Sequence, residues 1–150
     1  MSRYRVETTT VSSAPIDAVW GRLADASSWS EWGQWDETTL DREGVPAPDG
    51  VGAIRRLRRG RQTTVEEVVA FELPADGHAH FAYEQLSGIP VRDYHADVTL
   101  ESIGGGTRIR WASTFDGAYP LVGALVQLVL GRFIPETARR LAAVAAEASP

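Results

Sequence analysis

Residues 93–116 read DYHADVTLESIGGGTRIRWASTFD, two runs of alternating side chains separated by three glycines. A two-residue turn at Gly104–Gly105 predicts an antiparallel hairpin in which Val98 pairs with Trp111. Directly paired residues share one face of a sheet. The first face is mainly apolar and aromatic: Tyr94, Ala96, Val98, Leu100, Ile109, Trp111, Ser113 and Phe115. The second is mainly charged or polar: Asp93, His95, Asp97, Thr99, Glu101, Arg108, Arg110, Ala112 and Thr114. The hairpin therefore predicts a one-sided antiparallel sheet whose core lies against the aromatic face.

The chain on the N-terminal side of this hairpin predicts one strand, two short helices and further strands. Residues 3–11 are rich in β-branched side chains, which indicates a first strand. A helix start at Pro15 precedes an apolar stripe at Ile16, Val19, Trp20 and Leu23. Residues 25–35 are predicted to contain a second, very short helix. The later strands, separated by glycine and proline turns, are predicted at 34–42, 51–58, 62–73, 78–86, 93–103 and 107–116.

Tyr119–Glu147 has the composition of one long C-terminal helix, rich in alanine and leucine. Its first part, PLVGALVQLVLG, is apolar nearly all round, which is typical of a helix buried on most sides or of one whose second face lines a pocket or a partner surface. Pro135 is predicted to kink the helix or to begin a new segment. A one-sided sheet must cover its apolar face, and this helix is the only long element available to do so. The pattern predicts an α+β fold with about seven strands.

Composition narrows the function further. The 150 residues suit one domain, 1–150, and the formal charge of −5 argues against nucleic acid as a partner. Cysteine and lysine are both absent, which excludes disulfides, thiolate catalysis and lysine Schiff bases. The first ten residues lack the apolar stretch of a signal peptide. The longest apolar run, 120–130, is shorter than the roughly 20 residues that a membrane span needs. A cytoplasmic protein with no cofactor is expected, and its oligomeric state is left as monomer or homodimer.

Five aromatic side chains form the first candidate site. If Tyr83 lies opposite Tyr94 across the 87–92 connection, all five point to the same side of the sheet: Phe81, Tyr83, Tyr94, Trp111 and Phe115. Phenol hydroxyls and an indole N–H in an apolar wall are suited to orienting a hydrophobic ligand. The alternative is that these rings fill the core.

A charge pair between two neighbouring strands forms the second candidate site. A three-residue turn at 59–61 places Arg55 on the same face as Glu67, whereas a two-residue turn places it with Glu66. Facing a cavity, such a pair would shift pKa values and hold a polar ligand group. Exposed, it would be a weak cross-strand ion pair. The remaining arginines of this hairpin are compatible with a phosphate or acidic partner, or with simple solvation.

Three histidines, His78, His80 and His95, lie on the predicted outer face beside Asp93 and Asp97. Their donor atoms are of the type that binds zinc, but they lack the fixed spacing of a zinc motif. Solvent exposure is the expected state, and no metal site is predicted.

Several short motifs, taken in order, are similar to those of one protein family. They are Ala14–Trp20 (APIDAVW), Asp25 followed by Trp29 and Trp32, Gly50–Gly52, Leu86–Tyr94 (LSGIPVRDY) and Gly104–Trp111 (GGGTRIRW). From about residue 4 to the end of the last helix, the chain resembles the polyketide cyclase/dehydrase-like branch of the START-related lipid-binding superfamily, which also includes the birch-pollen allergen proteins. The resemblance implies a helix-grip fold with a deep pocket between the sheet and the C-terminal helix. Members include aromatase/cyclases, ligand carriers and hormone receptors, so the resemblance does not fix a reaction.

The resemblance also places the second short helix beside the pocket entrance. Its tryptophans, Trp29, Trp32 and Trp35, either line or gate that entrance or anchor the helices onto the sheet edge.

These observations favour binding of a small hydrophobic or aromatic molecule, lipid-like or polyketide-like, in the cavity. The predicted binding residues are Trp32, Arg55, Glu67, Phe81, Tyr83, Tyr94, Trp111, Phe115, Leu121, Leu125 and Leu128. One alternative is an aromatase/cyclase-type enzyme using Tyr83, Tyr94 and Arg55, although no clear catalytic constellation is visible. The other is a protein-interaction module that presents the three leucines as its interface.

Overall fold

The computed structural model describes residues 3–147. Its strands are β1 (Arg3–Ser12), β2 (Glu37–Arg42), β3 (Ile54–Arg59), β4 (Gln62–Ala75), β5 (His78–Ser87), β6 (Val91–Ile103) and β7 (Gly106–Gly117). Its α-helices are α1 (Ile16–Ala24), α2 (Trp29–Trp32) and α3 (Val122–Glu147), with a single 3₁₀ turn at Ala26–Ser28 between the first two. The predicted order of one strand, two short helices, six strands and a long helix is confirmed.

The seven strands form one antiparallel sheet in the order β1-β7-β6-β5-β4-β3-β2. The hairpin register is confirmed, because Val98 pairs with Trp111 and Ile103 with Gly106. Gly105 has a φ of 88°, a conformation that glycine adopts without strain. A side chain at Gly106 would collide with the carbonyl oxygen of Ser12, so β1 can close onto this end of β7 only beside a glycine.

Helix α3 lies across the apolar face of the sheet and covers it, as in a helix-grip fold. Near its C-terminal end, the Ser12 hydroxyl donates to the Ala142 carbonyl oxygen at 2.7 Å. Near its start, Gly123 lies so close to Tyr4 that an added Cβ would collide with the ring. The helix continues through Pro135 as one element, so the proline does not begin a new segment. No helix within residues 3–147 is long and apolar enough to cross a membrane.

One predicted strand pairing is wrong by two residues. Tyr83 lies opposite Ala96, not Tyr94. The connection turns later than expected because the Gln85 side chain holds the backbone of Ile89 through two hydrogen bonds, of 2.8 and 2.9 Å. Side chains alternate along a strand with a period of two, so this shift leaves Tyr83 and Tyr94 on the same face.

Candidate functional site

A cavity of about 460 Å³ lies between the concave face of the sheet and the first half of α3. This volume exceeds the roughly 300 Å³ at which small-molecule sites begin. The helix contributes Leu125, Val126, Val129, Leu130, Phe133 and Ile134. The sheet contributes Leu57, Thr64, Glu66, Tyr83, Tyr94 and Trp111. The remaining lining residues are Trp35, Arg59, Gln62, Ile89 and Pro90. Of the whole lining, the residues that are exposed to solvent mark the mouth of the cavity.

Two buried phenols form a polar patch on the sheet side of the cavity. Tyr83 and Tyr94 stack with their ring centroids 6.4 Å apart. The indole Nε1 of Trp111 donates to the Tyr83 hydroxyl at 3.3 Å, and the Tyr94 hydroxyl lies 2.8 Å from the Ser113 hydroxyl. Burial raises the pKa of both phenols above their ordinary value. Both are therefore neutral at physiological pH and present hydroxyl groups that can donate or accept a hydrogen bond.

A buried ion pair supports the sheet side of the cavity. The β3–β4 hairpin has a two-residue turn, so Arg55 pairs directly with Glu66. An Arg55 guanidinium nitrogen lies 3.2 Å from a Glu66 carboxylate oxygen, and their side chains are only 1% and 9% exposed. Of the two alternatives left open by the sequence, the exposed ion pair is therefore wrong and the buried one is present. Burial raises the pKa of Glu66, against the opposing attraction of Arg55.

The placement of Glu67 in the site is also wrong. Successive side chains in a strand point to opposite faces. Glu67 therefore lies on the outer face of β4, where its carboxylate is 3.4 Å from Arg42. The length of the β3–β4 turn decides which glutamate pairs with Arg55, because one residue more or less in the turn shifts the pairing by one position.

The Arg55 guanidinium lies behind the lining of the cavity, enclosed by aromatic rings. Its central carbon is 3.8 Å from the Trp29 ring centroid, 4.9 Å from that of Phe81 and 5.0 Å from that of Tyr83. Such contacts stabilise a cation electrostatically where water is excluded. Within residues 3–147, the buried Nε of Arg55 has no hydrogen-bond partner. The rings and Glu66 are thus the main compensation for burying this charge.

The tryptophans divide between the two predicted roles. Trp29 is fully buried and Trp32 is 5% exposed, so both anchor the short helices to the core. Trp35 lines the cavity, with its ring centroid 5.5 Å from that of Phe133. The position of Trp35 therefore suits the predicted role at the entrance.

The predicted binding residues fall into three groups. Four of them line the cavity: Tyr83, Tyr94, Trp111 and Leu125. Four are buried outside the lining, in the core that supports it: Trp32, Arg55, Phe81 and Phe115. The others do not border the cavity: Glu67, Leu121 and Leu128. Leu121 precedes the first turn of α3 and is 83% exposed, while Leu128 lies on the outer side of the helix and is 63% exposed. Because these leucines are exposed, they are accessible to a partner, and the protein-interaction alternative stays a prediction.

Most of the α3 residues that line the cavity were not predicted from the sequence. The missed positions are Val126, Val129, Leu130, Phe133 and Ile134. They recur at spacings of three and four residues, which is the signal of one helix face. That signal was masked because the neighbouring positions are apolar as well.

The histidines lie on the outer face of the sheet, as predicted, away from the cavity. His80 is 2.7 Å from Asp97 and 2.8 Å from Glu72, and the second ring nitrogen of His95 is 2.9 Å from Asp97. Burial disfavours the charged imidazole, but the two carboxylates raise the pKa of His80 overall. Within residues 3–147, no group of three or more acidic and histidine side chains is arranged to hold a metal ion.

Known proteins share this architecture. The aromatase/cyclase Zhui from Streptomyces sp. R1128 aligns with a TM-score of 0.80 at 18% identity, over 96% of this chain and 94% of that one. A START superfamily protein from Mycobacterium smegmatis aligns with a TM-score of 0.76 at 12% identity, over 95% of this chain and 97% of that one. A protein from Thermobifida fusca aligns with a TM-score of 0.75 at 21% identity, over 97% and 95% of the two chains.

No curated protein sequence matches the chain. At these identities, the solved structures establish a common fold and nothing about activity. The sequence itself matches the family described as polyketide cyclase / dehydrase and lipid transport over residues 3–146. The family and the fold support a role in binding a hydrophobic ligand or in polyketide cyclisation. This chain belongs to the polyketide cyclase / dehydrase and lipid transport family.

Proposed function

We propose that this protein binds one small hydrophobic molecule, with an aromatic or acyl body and at least one hydroxyl or carbonyl group, in the cavity under α3. The observation that carries the proposal is the cavity of about 460 Å³, apolar along the helix and polar at Tyr83, Tyr94 and Glu66. Each of these groups already has one partner in the protein, Trp111, Ser113 or Arg55, and keeps further hydrogen-bonding capacity that a hydroxyl or carbonyl group on the ligand can use. A polar group on the ligand would fix its orientation.

Apolar burial supplies the affinity in this proposal. Transfer of apolar surface from water is favourable by about 25 cal/mol per Å², before the cost of ordering the ligand is subtracted. The helical wall offers only aliphatic and aromatic side chains along the stripe that begins at Leu125 and ends at Ile134. Binding should therefore depend on the free volume next to this stripe.

The first test narrows the cavity from the helix side. The Val129→Trp variant is expected to weaken binding of the neutral fluorescent probe N-phenyl-1-naphthylamine by roughly tenfold, equivalent to about 1.4 kcal/mol. The larger side chain occupies the mouth that the probe must enter. Titration followed by probe fluorescence measures the effect. The matched control is Leu128→Trp, which adds the same indole one residue away, outside the lining.

A deeper variant separates obstruction of the mouth from loss of volume. Val126 is 9% exposed and lines the cavity, so Val126→Phe should also weaken probe binding. Equal probe affinity in wild type, Val129→Trp and Val126→Phe would contradict the proposal.

A second candidate function is cyclisation of a poly-β-ketone, and Glu66 is the observation that favours it. Its carboxyl group borders the cavity, and burial raises its pKa towards the range that suits a general base at neutral pH. The base would take a proton from a methylene between two carbonyls, and the resulting enolate carbon would attack a third carbonyl. The neutral hydroxyls of Tyr83 and Tyr94 would donate to the developing oxyanion. The new carbon–carbon bond closes the ring, and the alkoxide would take up the proton held by Glu66. Loss of water from the resulting β-hydroxyketone would then form the carbon–carbon double bond that leads to the aromatic product.

Conversion of a synthetic poly-β-ketone, followed by absorbance of the aromatic product, tests this candidate. Glu66→Gln keeps the size and hydrogen-bonding ability of the side chain but removes the base, so the rate should fall about 10²–10⁴-fold. Binding of N-phenyl-1-naphthylamine to the same variant serves as the control for folding. An unchanged rate in Glu66→Gln would remove Glu66 from the mechanism.

A further inference from the structure

One arginine lies at the mouth of the cavity. Arg59 is the last residue of β3, and its exposed side chain lines the opening beside Gln62, its partner on β4. Its guanidinium carbon is 5.1 Å from the ring centroid of Phe133, which lines the opposite wall. The contact with the ring places the exposed cation at the entrance of the cavity.

The charge of Arg59 is not neutralised by a neighbouring carboxylate. Two other arginines of the same strand are neutralised: Arg56 lies 2.9 Å from Asp41, and Arg58 lies 3.4 Å from Asp36. Within residues 3–147, by contrast, no aspartate or glutamate lies within 4.0 Å of the Arg59 guanidinium.

The two ends of the cavity therefore differ in charge. Among the described lining residues, Glu66 is the only other charged side chain, and it lies buried against Arg55. The inner end presents two neutral phenols and a carboxyl group that is already paired with Arg55, so among the described lining residues it offers an anion no unpaired cation. The mouth presents one accessible guanidinium, which is suited to binding a carboxylate, sulfonate or phosphate oxygen.

From this difference, and resting on the proposed binding function, we infer that the ligand is an amphipathic anion. Its apolar body lies along the helical wall, its neutral hydroxyl or carbonyl group meets Tyr83 and Tyr94, and its acidic group lies at the mouth against Arg59. Arg59 is thus a specificity-determining residue that selects acidic over neutral hydrophobic molecules and fixes which end enters first.

Two probes with the same ring system test this inference. 8-Anilinonaphthalene-1-sulfonate differs from N-phenyl-1-naphthylamine only by its sulfonate group. Arg59→Gln should weaken binding of the sulfonate probe by about fivefold, the upper range for an ion pair at the solvent boundary. Binding of the neutral probe should weaken less, because that probe carries no anionic group to contact Arg59. The fivefold difference should shrink at high salt, because exposed charges are screened.

Arg61→Gln is the matched control, since it removes the same charge from the same hairpin at a position outside the lining. It should leave both affinities at their wild-type values. The inference is overturned if Arg59→Gln weakens both probes equally, or if Arg61→Gln weakens the sulfonate probe as much. One result would overturn the anion preference but not the proposed function. In that result, Val129→Trp weakens binding of the neutral probe, and Arg59→Gln leaves the affinity for the sulfonate probe unchanged.

Discussion

Replacing Arg55 with leucine is expected to lower the free energy of unfolding by about 3–5 kcal/mol at neutral pH, the usual cost of removing one partner of a buried ion pair. The variant leaves the Glu66 carboxylate buried without Arg55, its ion-pair partner. Burying an uncompensated charge is unfavourable because the interior does not solvate it. Urea denaturation followed by far-UV circular dichroism measures the change.

The loss should also depend on pH. Burial already raises the folded-state pKa of Glu66 above its ordinary 4.5. A raised folded pKa means that the native state binds the proton more tightly, so the contribution of Glu66 to stability is full below 4.5 and is lost as the pH rises through the folded pKa. Removing Arg55 raises that pKa further. The deficit of Arg55→Leu relative to wild type should be smallest at acid pH and should grow as the pH rises.

Two controls separate burial from simple loss of charge. Arg56→Leu removes an arginine from the same strand whose partner, Asp41, is near the surface, and exposed pairs contribute only about 0–1 kcal/mol. The double variant Arg55→Leu/Glu66→Leu should recover much of the loss, because no unpaired charge remains. Equal losses in Arg55→Leu and Arg56→Leu, or no recovery in the double variant, would contradict the buried-pair interpretation.

The Arg55–Glu66 pair illustrates how much of the site could be predicted from the sequence. Alternation along β3 predicted which side of the strand Arg55 occupies, but its partner depended on the turn at Gly60–Arg61. Gly60 has a φ of 61°, and the turn has two residues, which selects Glu66. Both turn lengths were compatible with a glycine in this position. The burial of Arg55 could not be predicted from the sequence either, because it depends on Trp29 of α2 packing over the guanidinium.

The two walls of the cavity were predictable to different degrees for a physical reason. On the sheet, a clear apolar-polar alternation identified Tyr83, Tyr94 and Trp111 as sharing a face. On α3, the segment PLVGALVQLVLG is apolar all round, so periodicity alone could not tell which side faces inward. The rotation of the helix is tied to close packing, notably that of Gly123 against Tyr4. That contact is tertiary, which explains why the sequence could not show that Leu125 lines the cavity whereas Leu128 does not.

Trp29 joins the helical layer to the ion pair, and its removal is the second large effect that we expect. The ring is fully buried, and its Nε1 donates to the Leu23 carbonyl oxygen at 2.9 Å. It packs against Arg55 and against the rings of both Phe81 and Trp111. Trp29→Ala should cost about 3–5 kcal/mol, as for other large-to-small changes at buried aromatic sites. The free energy of unfolding is best followed by far-UV circular dichroism, because the substitution itself alters tryptophan fluorescence.

Trp35→Ala provides the comparison that gives this prediction its meaning. The same atoms are deleted six residues along the chain, but Trp35 is only partly buried and lines the cavity. Trp35→Ala should lower the free energy of unfolding less than Trp29→Ala does. Relative to the stability lost, it should change the affinity for N-phenyl-1-naphthylamine more. Trp29→Ala should also cost less in the Arg55→Leu background, since the cation that the ring stabilises is already gone. Strictly additive losses would show that the ring and the guanidinium act independently, and that packing alone accounts for Trp29.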